Sequence, residues 1–178
     1  MTPPVALTIA GSDSGGGAGI QADLRAFSAF GVHGCSALAA LTAHSTVEVR
    51  AVQTVDPDFL RTQIETVLDD LPVAAVKTGM LATAANVAVV ADLAAAGRLP
   101  NLVVDPVMVS STGHRLLDPD AESAYLDLLV PLATVVTPNS REAAVLLGGA
   151  VTAGDGQRRA AVELRRRGAR WAEVKGGD

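Results

Sequence analysis

Val5-Ala-Leu-Thr-Ile-Ala-Gly-Ser-Asp-Ser-Gly-Gly-Gly-Ala-Gly19 is the stretch that decides the fold class. Six residues, Val5–Ala10, run without a charge and then break into glycine. An apolar-faced pattern from about Ala18 to Phe30 follows. A short apolar run bounded by turn residues reads as a buried strand, so the stretch predicts strand, loop, helix. The unit recurs down the chain. Ser36–Thr42 and Ala51–Thr54 are further apolar runs. Asp56 predicts a helix cap with Pro57 in the first position, and Leu60, Ile64, Val67, Leu68 and Leu71 share one helical face before Pro72. Ala74–Thr78, Leu102–Asp105, Val135–Thr137 and Trp171–Lys175 predict the remaining strands. Helices are predicted over Ala82–Ala96, from Asp118 or Asp120 to before Pro131, from a Ser140 cap to about Leu147, and over roughly Gln157–Arg167. Such alternation predicts an α/β fold around a mostly parallel sheet.

Composition bounds the class. The chain has 178 residues, 49% of them hydrophobic and 19% charged, which excludes a disordered chain. Aromatics are only 3%, so Ala, Val and Leu must build the core. A net charge of -5 argues against a nucleic-acid partner, which calls for a basic footprint. The single cysteine, Cys35, excludes a disulfide framework and a cysteine-based zinc site, and it reads as a small buried apolar residue. Met1–Ala10 holds no Lys or Arg and does not read as a signal peptide. Ala26–Val47 lacks Asp, Glu, Lys and Arg, a length that could span a bilayer. It also contains Gly31, His33, Gly34 and His44, and it reads as a helix end, a turn and a buried strand. The expectation is a cytoplasmic protein with no membrane partner.

Open α/β sheets bind ligands beyond the carboxyl ends of their strands. Those ends are predicted at Gly11–Gly19, His44–Thr46, Thr78–Met80, Asp105–Val109, Thr137–Glu142 and Lys175–Gly177. The glycine loop can cradle an anion on its N–H groups. It is not a Walker A loop, because Gly17 and Ala18 stand where Lys and Ser/Thr belong. Nor is it a dinucleotide fingerprint, because Ala37–Ala43 lacks the acidic ribose partner. Asp23, one turn into the next helix, can aim its carboxylate at a ligand. Asp105, at a strand end, suits a metal-bound phosphate. Asn139 and Glu142, three apart, suit the water shell of Mg²⁺ or a helix cap. Lys175 can neutralise phosphate charge. His44 can bond a ligand ring, and Met80, Val107 and Met108 can line one. His33 and His114 read as turn residues. Arg158, Arg159, Arg165–Arg167 and Arg170 read as the wet face of a helix.

Together, five segments resemble the hydroxymethylpyrimidine/phosphomethylpyrimidine kinases of thiamine biosynthesis. They are Ala10–Asp23, Val76–Leu81, Val103–Met108, Thr137–Glu142 and Val174–Gly177. The resemblance implies a ribokinase-like three-layer α/β sandwich. It implies ATP- and Mg²⁺-dependent phosphorylation of 4-amino-5-hydroxymethyl-2-methylpyrimidine and then of its monophosphate, in a homodimer. By position, it places the pyrimidine among Gly11, Ala18, Asp23, His44, Met80 and Val107. It assigns Asp105, Asn139, Glu142 and Lys175 to the nucleotide, Asp105 and Glu142 to Mg²⁺ through water, and phosphate neutralisation during transfer to Lys175.

Two departures stand out. His44 and Ser45 replace the family's usual Gln and Asn. The family also continues into a Gly-Thr-Gly-Cys-type segment that supplies an anion hole and the catalytic base, whereas this sequence ends at Lys175-Gly-Gly-Asp178. The expectation is therefore a single, incomplete kinase domain over 1–178 that does not turn over alone. A non-catalytic pyrimidine-binding module and a pyridoxine-type kinase relative are the alternatives.

Overall fold

Leu7, Thr8 and Ile9 are all shut off from solvent, yet they serve opposite faces of one strand. Leu7 and Ile9 join the main core with Leu60, Ile64, Val87 and Val90. Thr8 turns the other way and donates to Asp23 at 2.6 Å. A strand buried on both faces needs helices on both faces, and the architecture follows from that need. The computed structural model describes residues 2–108 and 119–176.

The elements run β1 (Val5–Asp13), α1 (Gly19–Ala29), β2 (His33–His44), β3 (Val49–Thr54), α2 (Pro57–Asp70), β4 (Val73–Thr78), α3 (Ala84–Ala95) and β5 (Val103–Val104). Then come α4 (Pro119–Ala124), β6 (Val135–Val136), α5 (Ser140–Leu147), α6 (Asp155–Arg166) and β7 (Trp171–Ala172). One seven-stranded sheet has the order β3-β2-β1-β4-β5-β6-β7. Every pairing is parallel except the β2–β3 hairpin. The chain leaves β1 toward β2 on one side and later builds β4 to β7 on the other. This makes β1 and β4 the point where strand order reverses, the place where such sheets bind ligands. Helix α1 packs on β1 and β2 on the Thr8 face. Helices α2 and α3 bring Leu60, Ile64, Val87 and Val90 to the opposite face, giving three layers.

Local chemistry explains most boundaries. The Asp56 carboxylate accepts from the amides of Asp58 and Phe59 with Pro57 in the first turn, as the sequence predicts. Thr83 caps α3 through the Asn86 amide. Ala91, Leu93, Val87, Val89 and Val90 bury most of that helix. Ala26–Val47 resolves into the end of α1, a left-handed turn at Gly31 and β2. No helix among the described residues is long and apolar enough to cross a membrane.

Four expectations change. Strand β1 does not stop at Ala10; Gly11, Ser12 and Asp13 stay paired with Ala40, Leu41 and Thr42 across a register shift. The helix that should stop before Pro131 instead widens into a π turn over Tyr125–Leu129 and tightens into a 3-10 turn over Val130–Leu132. Pro131 fits there because the first residues of a helical turn need no N–H donor. Helix α5 is capped by Asn139, not Ser140, with Glu142 completing a capping box. The proposed start at Asp118, and His114, Val109 and Gly177, lie outside the described residues. The last strands are also shorter than expected, and Lys175 joins the sheet through an isolated bridge to Asn139.

Asn86 is the buried polar residue that ties these parts together. Its amide nitrogen donates to the carbonyls of Ala39, Val55 and Leu81. Leaving buried carbonyls unpaired costs about 1–3 kcal/mol. Asn86→Leu should therefore lower the urea unfolding free energy by about 2–4 kcal/mol. A change below about 0.5 kcal/mol would show that these carbonyls do not depend on it.

Candidate functional site

A cavity of about 300 Å³ opens at the carboxyl ends of β1, β2 and β4. That volume is at the small end of ligand pockets and suits a single substituted ring. Met80 and Val107 form an apolar wall, packed with Ala40 and Ala82 into a small core of their own. Gly11, Ala18 and Gly19 also line the cavity. Gly11 lets the Met80 methyl pack against the main chain, and a Cβ there would push that methyl aside. Gly19 has a positive φ, and a side chain on it would run into the Gly11 carbonyl. His44, Thr42, Asp13, Lys77 and Asp105 supply the polar lining.

The glycine loop is organised from within. Asp13 Oδ1 accepts from the Gly15 amide and Oδ2 from the Ala18 amide, each at 2.8 Å. Burial alone would raise the Asp13 pKa, but the amides of Ala18 and Gly15, then His44 and the Gly17 amide, outweigh it and hold it below the usual carboxylate value. The expectation that these N–H groups cradle a ligand anion is thereby corrected. The chain's own carboxylate fills the nest. Gln21 adds two bonds, accepting from the Asp13 amide at 2.9 Å and donating to Ser12 Oγ at 2.8 Å. Arg25 donates to the Gly16 carbonyl. These bonds tie the loop to β1 and α1.

A string of alternating charge runs beneath the cavity. Lys77 Nζ lies 3.0 Å from both Asp23 oxygens and 4.0 Å from Asp105 Oδ2. Lys175 Nζ lies 3.0 Å from Asp105 Oδ1. Thr137 Oγ1 donates to the same oxygen at 3.4 Å. Asp23, expected to aim its carboxylate at a ligand, stands outside the cavity lining, and its oxygens accept from Lys77 and Thr8. That pairing places the Lys77 ammonium at the cavity wall. Lys77 was missed as a site residue, yet a signal was there. A lysine in the apolar run Val73–Thr78 has to find a partner inside the protein.

Asn139 and Glu142 stand behind Asp105. Asn139 Oδ1 accepts from the Glu142 amide at 2.9 Å, and Glu142 Oε2 accepts from the Asn139 amide at 2.8 Å. Burial pushes the Glu142 carboxyl up and Asp105 adds to this, while the Asn139 amide, Lys175 and the Met108 amide oppose it. Of the two sequence readings for this pair, the helix cap is the one the geometry shows. No three His, Cys, Asp or Glu side chains gather to hold a metal among the described residues. The donors present, Asp105 and Glu142, fit an ion such as Mg²⁺ only in the manner that ion favours, through retained waters and substrate phosphates. Direct ligation does not fit, because Lys175 and the cap already engage these oxygens.

Sequence reasoning also missed Tyr125. It is fully buried, and its hydroxyl donates to the Gly79 carbonyl at 2.7 Å. Burial first, then Asp105 and Glu142, push its pKa up, against the Leu81 amide. It thus remains a neutral donor that sets the turn carrying Met80. Of the sequence-predicted residues, Gly11, Ala18, His44, Met80, Val107 and Asp105 meet at the cavity. Lys175 reaches it through Asp105, and Asp23 through Lys77.

This arrangement has close counterparts. The sequence profile of the phosphomethylpyrimidine kinase family matches residues 13–178. A hydroxymethylpyrimidine/phosphomethylpyrimidine kinase of Rhizobium meliloti is 49% identical over 175 residues, which is 97% of this chain and 65% of the relative. The chain thus spans slightly under two thirds of that curated relative. The crystal structure of a phosphomethylpyrimidine kinase from Clostridium difficile is 41% identical with a TM-score of 0.89, covering 98% of this chain and 75% of that one. The pyridoxal kinase of Staphylococcus aureus in complex with AMP-PCP and pyridoxal is 36% identical with a TM-score of 0.87, covering 100% of this chain and 64% of that one. With a family profile matched across nearly its whole length and a ribokinase-like α/β fold to go with it, this chain belongs to the phosphomethylpyrimidine kinase family.

Proposed function

We propose that this chain carries the substrate side of an ATP-dependent kinase acting on 4-amino-5-hydroxymethyl-2-methylpyrimidine and on its monophosphate. The observation that carries the reading is the continuity between a ring-sized cavity and the charge string Lys77–Asp105–Lys175 at its edge. Phosphoryl transfer needs positioning and charge stabilisation more than covalent help, and both are built here.

Each residue has a part. Gly11, Ala18, Met80 and Val107 line the cavity proposed for a flat ring, and His44 meets the ring edge. Lys77, held by Asp23, brings a positive charge to the cavity wall. Asp105 holds Lys175 in place, and Lys175 offers its ammonium to the nucleotide phosphates. Asn139 and Glu142 fix the start of α5 behind that point. Mg²⁺, when bound, would spread the charge of the transferring phosphoryl group, with Asp105 and Glu142 holding it through water. Residues 1–178 belong, in this reading, to one kinase domain, and the family resemblance supports a cytoplasmic homodimer.

Calorimetry on the chain tests the substrate. The hydroxymethylpyrimidine should bind at least about tenfold more tightly than pyridoxine, a gap of roughly 1.4 kcal/mol. Tighter binding of pyridoxine would overturn the assignment. Lys175→Ala should weaken AMP-PCP binding by about tenfold, the loss expected for one charge-assisted contact. An unchanged AMP-PCP affinity would remove Lys175 from the phosphate site.

A further inference from the structure

Lysines and arginines number 14 in this sequence, and two of them are lysines, Lys77 and Lys175. The fold brings both to one carboxylate. Lys77 Nζ lies 4.0 Å from Asp105 Oδ2, and Lys175 Nζ lies 3.0 Å from Asp105 Oδ1. They differ in where they stand. Lys77 lines the cavity and is, among the described residues, the one Lys or Arg that does. Lys175 stands beyond the lining, on the far oxygen of Asp105.

Lys77 is held without being fully engaged. Its hydrogen bonds go to the two Asp23 oxygens, each at 3.0 Å. An ammonium carries three hydrogens, and Asp105 Oδ2 at 4.0 Å is too far to accept the third. A Cβ on Gly79 would lie 3.2 Å from Nζ, so the bare main chain at Gly79 leaves the ammonium its place. A neutral ring bearing an alcohol gives this charge nothing to neutralise, whereas a ring bearing a phosphate does. The loop amides of Gly15 and Ala18 cannot take that phosphate, because they donate to Asp13. Asp13 and Asp105, the carboxylates of the lining, would repel it.

We propose that the two lysines divide the phosphates of the reaction. Lys175 takes those of the nucleotide, Lys77 takes the one carried by the monophosphate substrate, and Asp105 stands between them. Lys77 is then the residue that sets how the cavity ranks the monophosphate against the alcohol, and Asp23 is its positioning residue. The inference rests on the proposed substrate class and deepens it. Lysine suits this part because it meets phosphate as a compact point charge with rotatable donors. It can keep Asp23 on one side and take a second anion on the other.

Two measurements on the 178-residue chain test this. Calorimetry gives the affinity for 4-amino-5-hydroxymethyl-2-methylpyrimidine monophosphate relative to that for the unphosphorylated alcohol. Lys77→Met should lower that ratio about tenfold, the loss of one charge-assisted contact. A merely structural loss would weaken both ligands alike and leave the ratio unchanged, which would overturn the inference. The second measurement is nitrogen-15 NMR with labelled lysine, in which Lys175→Ala assigns both ammonium signals. The monophosphate should move the Lys77 signal further than the alcohol does, and AMP-PCP should move the Lys175 signal. A monophosphate that shifts Lys175 and leaves Lys77 in place would also overturn it. If Lys77→Met does not fold, the two ammonium signals decide alone. An unaltered chain that binds neither pyrimidine would bring down the substrate class, and this inference with it. Binding of both with an unchanged ratio in Lys77→Met would bring down the inference alone.

Discussion

The Asp13 carboxylate, seated among the amides of its own glycine loop, is the interaction on which the site depends. Two short bonds from Gly15 and Ala18 and a third contact from His44 converge on one buried group. Hydrogen bonds to a charged group are worth about 1.5–3 kcal/mol each, enough to repay the burial of the charge. The consequences spread outward. Holding Asp13 in place extends β1 three residues beyond its apolar run. It satisfies the Ala18 amide at the start of α1, a helix with no side-chain cap of its own. It also fixes the wall against which Met80 closes over Gly11.

The second constraint is charge. Asp23, Lys77, Asp105 and Lys175 alternate in sign across the sheet edge, with side chains of Asp23 and Asp105 16% and 19% exposed. Partly buried ion pairs are weak contributors to stability, because desolvation offsets much of the attraction. Hydrophobic residues of similar volume would hold the sheet as well. A string of this kind, ending beside a ring-sized cavity, is better accounted for by a ligand that brings negative charge to one end. The capping box of Asn139 and Glu142 and the buried Tyr125 hydroxyl then serve it indirectly. One places the entrance of α5 behind Asp105, and the other sets the Gly79 turn.

Much of this was legible in the residues. Uncharged runs such as Val5–Ala10 mark strands because a parallel sheet is covered on both faces. Asp56-Pro57 marks a helix start because cap and ring chemistry are local. Strand-end position marked the segments that hold Gly11, Ala18, His44, Met80, Val107 and Asp105, and the family resemblance picked out those residues within them. What was not legible depended on pairing across the chain. The glycine loop's amides looked free for a ligand, since nothing local shows that Asp13 folds back onto them. Asp23 looked free because Lys77, 54 residues away, was not yet its neighbour. Ser140 looked like the cap because it starts the helical pattern, but the cap lies one residue earlier. Tyr125 gave no signal, because a π turn under Pro131 follows from packing rather than periodicity.

The account stands or falls on where a pyrimidine sits. A crystal structure of this chain grown with 4-amino-5-hydroxymethyl-2-methylpyrimidine tests it most directly. The account predicts the ring in the cavity lined by Gly11, Ala18, His44, Met80 and Val107, with the glycine loop still closed on Asp13. A ring bound outside this cavity, or a loop that releases Asp13 to take the ligand on its amides, would contradict it.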